Sequence, residues 1–209
     1  MCRLEATPRQ GQSCSTCPRA ASRGVGQITQ EEIDEAAAAV MAEMKPWIPG
    51  NFSQVRKIQD APMNKGRVDM MRSCEAQGEA VAVKRMPNRW VAESPSEFKE
   101  RHPKASEKPW FDLAALRALN ERACPFVCDL LGIFRDEEST YVVTSLATEG
   151  DLFGLCQSQY LPLPGPAREH VLRPILIQAI AAVSWLHSVG FSHGDLSLEN
   201  FVLSSDGLG

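Results

Sequence analysis

The sequence predicts an α+β fold, in which a five-stranded antiparallel sheet with one helix is followed by a helical region. Short apolar runs separated by turn residues fill residues 50–150, a pattern typical of consecutive strands. From residue 151 onward, apolar residues recur at helical spacing, most clearly over 168–190. The 209 residues, 44% of them apolar, are enough to bury one good core. We therefore expect strands in the first part of the domain and helices in the second.

The composition narrows the class of partner and the compartment. A formal net charge of −4 provides no broad basic face, so nucleic acid is not an expected partner. The seven cysteines are odd in number and scattered, which favours free thiols in a reducing, cytoplasmic environment. The sequence has no run of about 18 uninterrupted apolar residues and no apolar core of a secretion signal. We therefore expect neither a membrane span nor a membrane partner.

Residues 1–28 are rich in Arg, Ser, Gly, Gln and Pro and show no periodicity, which predicts a disordered tail. Organelle transit peptides have a similar start, but no amphipathic Arg-bearing helix is visible here. Cys14 and Cys17 have the spacing of a redox pair or of half a zinc site. Because no second pair and no nearby His completes a metal set, we expect two ordinary thiols.

An amphipathic helix is predicted over residues 29–46. Thr29 and Glu32 form a capping box, apolar residues follow at helical spacing, and Pro46 closes the run. The apolar stripe is narrow. Such a stripe packs on its own domain more often than it binds a partner helix, and both uses stay open.

The predicted sheet begins with three consecutive strands, over Phe52–Ile58, Val68–Met71 and Ala80–Met86. Pro87–Pro109 is polar and rich in proline, which predicts a surface loop. A hairpin should complete the sheet, with strands within 124–134 and 139–144 around a charged turn.

Two helices are predicted beyond the first one. Trp110–Asn120 has leucines along one side, and residues 168–190 carry a wide apolar face suited to a core. Asp112 lies in the first turn of the shorter helix, where the helix dipole favours an acid.

Two short motifs carry the chemistry. The first, VAVK at Val81–Lys84, places a cation in an apolar strand. A buried Lys there needs an anion beside it, whereas a Lys at the strand end would reach solvent. The second, HGDLSLEN at His193–Asn200, follows the long helix. We expect His193 to pack and hydrogen bond, since no partner ligands for a metal lie near it.

Together the two motifs resemble those of eukaryotic-type serine/threonine protein kinases. HGDLSLEN matches the catalytic-loop signature H-R-D-L-x-x-x-N at every position except the Arg. VAVK stands upstream of it in the order and at the distance that the family shows. The resemblance covers Phe52–Leu208. It implies a small lobe with a hinge over residues 50–150 and the start of a helical large lobe over 151–209.

The resemblance implies transfer of the γ-phosphoryl group of ATP to a hydroxyl of a protein substrate, with ATP and Mg²⁺ as cofactors. Asp195 would be the catalytic base, Asn200 would hold Mg²⁺, and Lys84 would bind the phosphates. Asp112 stands at the offset of the helix acid that pairs with this Lys. The alternative for Asp112 is a first-turn acid that stabilises its own helix.

Further nucleotide contacts follow from the resemblance. Backbone groups near Ala147 would meet the adenine edge, Thr144 would lie at the back of the pocket, and Asp151 would face the ribose or start a helix. The other implied cofactor-binding positions are Gly66, Val68, Ala82 and Val202. ATP would bind between the two lobes, with Lys84 and Asp195 facing one cleft.

The sequence departs from the family at several positions. Gly194 replaces the Arg that grips a phosphorylated activation loop, and Ser197 replaces a Lys that contacts the transferred phosphate. Ala61 and Met63 stand where the first two glycines of the phosphate loop belong. The chain stops at Gly209, before any Asp-Phe-Gly motif, which predicts a fragment of a kinase domain. The second interpretation is a non-catalytic, pseudokinase-like module that binds ATP or protein partners.

Overall fold

The computed structural model describes residues 2–5, 26–61, 66–74 and 78–205, which fall into two compact units. The sheet unit comprises Gln30–Ala123 and Asp129–Leu146. The helical unit comprises Met1–Thr29, Cys124–Cys128 and Ala147–Gly209.

The described elements are numbered in chain order. The strands are β1 (Cys2–Glu5), β2 (Lys45–Pro46), β3 (Phe52–Ala61), β4 (Gly66–Ser73), β5 (Ala80–Pro87), β6 (Leu130–Arg135), β7 (Ser139–Ser145) and β8 (Phe201–Ser204). The α-helices are α1 (Gln30–Glu43), α2 (Asn88–Val91), α3 (Pro95–Arg101), α4 (Pro109–Glu121), α5 (Leu152–Gln157) and α6 (Pro166–Ser188).

The sheet unit contains, among its described residues, one sheet of six strands in the order β2-β6-β7-β5-β4-β3. β3 to β7 pair antiparallel with their neighbours, so the predicted α+β class and five-stranded antiparallel sheet are confirmed. The sequence did not predict the two-residue β2, which pairs in parallel with β6 at the edge.

Apolar residues cover both faces of the sheet at β5, β6 and β7. On one face Trp47 stacks on Tyr141 and on Phe52, with ring centroids 4.0 and 4.6 Å apart, and covers Val81 and Val83. The opposite face packs against α1 and α4. Its buried residues include Met86, Ile133 and Val142. Their partners on the helices are Val40, Trp110 and Leu113.

The predicted surface loop over Pro87–Pro109 is wrong, because this segment forms α2 and α3. Val91 and Phe98 are buried against α4, and the Trp110 indole Nε1 donates to the Val91 carbonyl at 2.8 Å. Ser94 caps α3 by accepting from the Glu97 amide at 3.2 Å. The helices are too short and their apolar residues too few to produce a readable helical period.

The predicted disordered tail over residues 1–28 is wrong for Cys2–Glu5, which form β1. This strand pairs in parallel with β8, and Leu4 and Leu203 are each only 2% exposed. The Arg3 amide also donates to the Phe126 carbonyl at 2.8 Å. Four residues with two inward side chains are too short a pattern to detect in an Arg-rich segment. Cys14, Cys17 and Met63 lie outside the described residues.

α6 is the core helix of the helical unit. Ile175, Ala179, Ala182, Trp185 and Leu186 are buried along one of its faces. Within the described residues, α6 alone has the length and apolar composition to cross a membrane, where the sequence predicted no span. Core helices of soluble proteins share both properties, so α6 is weak evidence for a span.

Candidate active site

The sheet unit brings five of the predicted nucleotide-binding residues onto one face of the sheet. Lys84 on β5 lies directly opposite Val68 on β4, and Ala82 lies opposite Thr144 on β7. Directly opposed residues share a face, and so do residues two apart on one strand, which adds Gly66. Lys84 is half-buried among these residues. A cation held in this way is suited to an anionic ligand.

Asp112 lies in the first turn of α4, within electrostatic range of Lys84. Asp112 is exposed as a residue, yet crowding of its carboxyl by protein atoms raises its pKa, whereas the Lys84 charge lowers it; the net shift is upward. Within the described residues, no ion pair of 4.0 Å or less joins the two side chains. The two groups therefore influence each other without direct contact.

A glycine ends α6 and leads the chain into the motif at His193–Asn200. Gly190 has φ 91°, and the amides of Gly190 and Phe191 donate to the carbonyls of His187 and Leu186 at 3.1 and 2.9 Å. This is the pattern of a helix terminated by a left-handed glycine. It directs residues 193–200 away from the helix axis.

Asp195 and Asn200 are joined within the motif. The Asn200 Nδ2 donates to both the backbone carbonyl and the carboxylate Oδ2 of Asp195, each at 2.9 Å. A 3₁₀ turn over Leu198–Asn200 sets the spacing. Asp195 stays exposed, so its carboxylate is oriented yet accessible.

The geometry of Asn200 fits a hard metal ion. Both hydrogen bonds from its amide to Asp195 use the nitrogen, and among the described residues its Oδ1 receives no hydrogen bond. Amide and carboxylate oxygens are the ligands that Mg²⁺ uses in proteins. No group of three or more His, Cys, Asp or Glu side chains in the described part of the chain is arranged to hold a metal. Asn200 would therefore be one ligand of a shared site.

His193 and Gly194 shape the start of the motif. The Asp195 amide approaches the His193 Nδ1 at 3.4 Å. Burial lowers the pKa of His193, and the Asp195 charge offsets this only in part, so the net shift favours the neutral imidazole. Gly194 has φ 75°, a conformation in which any other residue would be strained.

Asp151 and Val202 lie together in the helical unit. They form an isolated antiparallel bridge, and the Leu203 amide donates to the Gly150 carbonyl at 2.7 Å. The Asp151 Oδ1 accepts from the Gly154 amide at 2.7 Å and so caps α5. The interpretation of Asp151 as the residue that starts a helix is therefore confirmed. Its second carboxylate oxygen, Oδ2, remains available for other contacts. Ala147, half-buried, precedes this segment.

The contact between α1 and α4 was only partly foreseen. Ile33, Ala36 and Val40 are buried, and Val40 lies in the same cluster as residues of α4, which confirms that α1 packs on its own domain. Sequence reasoning missed Glu43 and Arg117, which form a two-bonded ion pair between the helices. The partners lie 74 residues apart, and no local spacing signals such a pair.

Comparison with known proteins identifies the family. The family model described as protein kinase domain matches residues 64–208. Serine/threonine-protein kinase PLK4 of Nematostella vectensis is 37% identical over 83 residues, covering 39% of this chain and 8% of that protein. Serine/threonine-protein kinase RAD53 of Saccharomyces cerevisiae is 32% identical over 95 residues, covering 46% of this chain and 11% of that protein.

The name of a third relative does not describe it as a kinase. The negative regulator of sexual conjugation and meiosis of Schizosaccharomyces pombe is 30% identical over 82 residues, covering 39% of this chain and 17% of that protein. The chain thus spans between 8% and 17% of the length of these relatives. With the family model matching well over half of its residues, the chain belongs to the protein kinase family.

Proposed function

We propose that the chain is part of an ATP-dependent protein serine/threonine kinase, which transfers the γ-phosphoryl group of Mg-ATP to a protein hydroxyl. The observation that carries this proposal is the motif at His193–Asn200, where the Asn200 Nδ2 donates one hydrogen bond to the exposed Asp195 carboxylate and one to the Asp195 backbone carbonyl. The relatives named serine/threonine kinases support the same substrate class.

Each residue has a chemical role in this proposal. The Asp195 carboxylate accepts the proton of the attacking hydroxyl, and Lys84 offsets the charge of the phosphates. The Asn200 Oδ1 would be a ligand for Mg²⁺, which when bound neutralises charge on the phosphates. Asp151 Oδ2 and the backbone near Ala147 would orient the nucleoside. The free thiols among the described residues support our proposal of a reducing, cytoplasmic location.

A second candidate function is a non-catalytic module that binds nucleotide or protein partners. The observation that favours it is the Lys84–Asp112 pair, which is not in contact within 4.0 Å. Gly194 and Ser197 also supply no cation at two positions where kinases of this type carry one.

A nucleotide titration tests the first step of the proposed function. Mg-ATP should stabilise the wild-type chain by about 2.7 kcal/mol at one hundred times its Kd. Lys84→Ala should abolish this stabilisation because the phosphates lose their cation. Lys57→Ala is the matched control, since Lys57 is exposed on β3 and pairs with the exposed Asp60 at 2.7 Å. Equal stabilisation of Lys84→Ala and wild type would contradict the role of Lys84.

Phosphoryl transfer separates the two candidate functions. Asp195→Asn should keep Mg-ATP binding and lower transfer from labelled ATP to a mixed protein substrate by about 10²–10⁴-fold, the usual contribution of a general base. Binding of Mg-ATP by wild type with no transfer, and no effect of Asp195→Asn, would favour the non-catalytic module. Absence of Mg-ATP binding by wild type would reject nucleotide-dependent function for this chain.

A further inference from the structure

Ion pairs join helix α1 to α4 and to Arg122, the residue that follows α4. Arg117 donates through Nη1 and Nη2 to the two carboxylate oxygens of Glu43, at 2.6 and 3.0 Å. Arg122 donates through Nη2 to Glu32 at 2.6 Å. The two guanidinium side chains are 25% and 23% exposed, whereas their carboxylate partners Glu43 and Glu32 are 60% and 42% exposed, so solvent still screens both pairs.

An apolar contact joins the same two helices near the candidate site. Val40 of α1 lies in one buried cluster with Trp110 and Leu113 of α4. Those two residues flank Asp112 closely in the sequence. The cluster also contains Met86, two residues beyond Lys84 and on the same face of β5. α1 therefore packs on the helix that carries Asp112, in a cluster that also contains a residue of the strand that carries Lys84.

We propose that α1 positions the candidate site, with Glu43 and Arg117 as positioning residues that set the distance between Asp112 and Lys84. The inference rests on the proposed function only in taking Lys84 as the phosphate-binding cation. Its basis is geometric, because Arg117 lies five residues beyond Asp112 on one rigid helix. A shift of α4 relative to β5 must then move Asp112 toward or away from Lys84.

The distance between these two charges is suited to such control. The pair is close enough for Lys84 to affect Asp112, yet longer than 4.0 Å. Electrostatic interaction falls with distance, and a direct contact adds a hydrogen bond, so a small displacement of α4 changes the pair strongly. Glu107, whose charge raises the pKa of Asp112, precedes α4 in the sequence.

A pKa measurement on the full chain tests the inference without nucleotide. NMR titration measures the pKa of Asp112 in two proteins, the wild type, which has the Lys84 charge, and Lys84→Ala, which lacks it. In wild type, removal of this cation should raise the pKa of Asp112. The size of that change measures the coupling between Asp112 and Lys84. We expect Glu43→Gln and Arg117→Lys to alter the coupling, because each weakens the two-bonded contact with α1.

Glu121→Gln is the matched control. Glu121 also accepts from Arg117, at 2.6 Å, but it lies on α4 itself. This variant therefore removes an Arg117 bond without releasing α1, and the coupling should remain at the wild-type value. Glu43→Gln preserves the side-chain volume at a largely exposed position, so we expect this variant to fold. Denaturant unfolding checks that it does. Identical coupling in Glu43→Gln, Arg117→Lys and wild type would overturn the inference.

Mg-ATP affinity provides the second readout. Glu43→Gln should weaken Mg-ATP binding by about 3–10-fold, within the range for residues that act through others. In an Asp112→Asn background, Glu43→Gln should have no further effect, because the route runs through Asp112. An equal effect in both backgrounds would overturn the inference while leaving the proposed function intact. If wild type binds no Mg-ATP, the proposed function fails and the pKa measurement alone decides the role of α1.

Discussion

At the scale of single residues, Asp136 organises the turn between β6 and β7. Its carboxylate accepts from the amides of Glu138 and Ser139 at 2.8 and 2.7 Å and from the Tyr141 hydroxyl at 2.7 Å. Burial acts to raise the pKa of Asp136, yet these hydrogen bonds and the charge of Arg85 together hold it below its ordinary value. The same contact, added to burial, raises the pKa of Tyr141 to about 12.

Asp136→Asn should lower the free energy of unfolding by about 1–2 kcal/mol at neutral pH, because hydrogen bonds to a charged acceptor are the stronger kind. A lowered pKa in the folded state gives stability that is present above the unfolded pKa and lost as pH falls through the folded value. The difference between wild type and variant should therefore shrink below about pH 4. Denaturant titrations over a pH series measure it.

The neighbouring Glu137→Gln serves as the control for this prediction, since Glu137 is exposed in the same turn. A difference that stays constant from pH 7 to acid would mean that the Asp136 charge makes no contribution.

The sequence proposes candidate site residues within local motifs, whereas it does not reveal long-range side-chain partners. Asp195 and Asn200 are five residues apart, and the bond between them follows from one short loop. Lys84 became a candidate because the VAVK motif at Val81–Lys84 resembles the strand that carries the phosphate-binding Lys of protein kinases. The Glu43–Arg117 pair depends on how two helices cross, and that is decided by packing over the whole sheet unit.

At the scale of elements, long periodic segments were predictable and short ones were not. α1, α4 and α6 lie within a few residues of their predicted ranges, because each repeats its apolar spacing over three or more turns. β1, β2, α2 and α3 have two to seven residues, and their identity comes from tertiary contacts. β1 is the clearest case, since its partner β8 lies at the opposite end of the described chain.

Leu4→Ala should destabilise the helical unit by about 2–5 kcal/mol, the usual range for removing a buried leucine side chain. Leu4 is 2% exposed, and its loss would leave a cavity beside β8. Hydrogen exchange of the Leu203 amide and denaturant unfolding report the effect. Leu163→Ala is the matched control, because Leu163 belongs to the same unit and is 87% exposed. Equal stabilities of the two variants would contradict a structured β1.

At the scale of the whole molecule, each unit is assembled from separate stretches of chain. Cys124–Cys128 belongs to the helical unit, although it lies between α4 and β6 of the sheet unit. Sequence patterns favour domains made of contiguous residues. Neither composition nor periodicity indicated that this five-residue stretch belongs to the helical unit. β3, β4 and β5 follow one another along the chain, and so do β6 and β7, which made these antiparallel neighbours predictable.

Cysteine labelling should report the unfolding of the helical unit. Cys74 is exposed, whereas Cys2 and Cys124 are buried, and burial raises the pKa of Cys124 to about 11. At pH 8 only about one thousandth of such a thiol is in the reactive thiolate form. Iodoacetamide should therefore modify Cys74 first, and Cys2 and Cys124 only when the helical unit unfolds. Site-resolved mass spectrometry follows each thiol, and comparable native rates at Cys74 and Cys124 would contradict this order.

The pairing of β1 with β8 also imposes an order of events on biosynthesis. Cys2 is joined to Phe201 across about 200 residues of chain. At ribosomal speeds of about 5–20 residues per second, the first strand emerges about 10–40 s before its partner exists. Throughout this interval β1 lacks its partner strand and remains accessible to chaperones. Closure of the helical unit therefore follows the synthesis of β8.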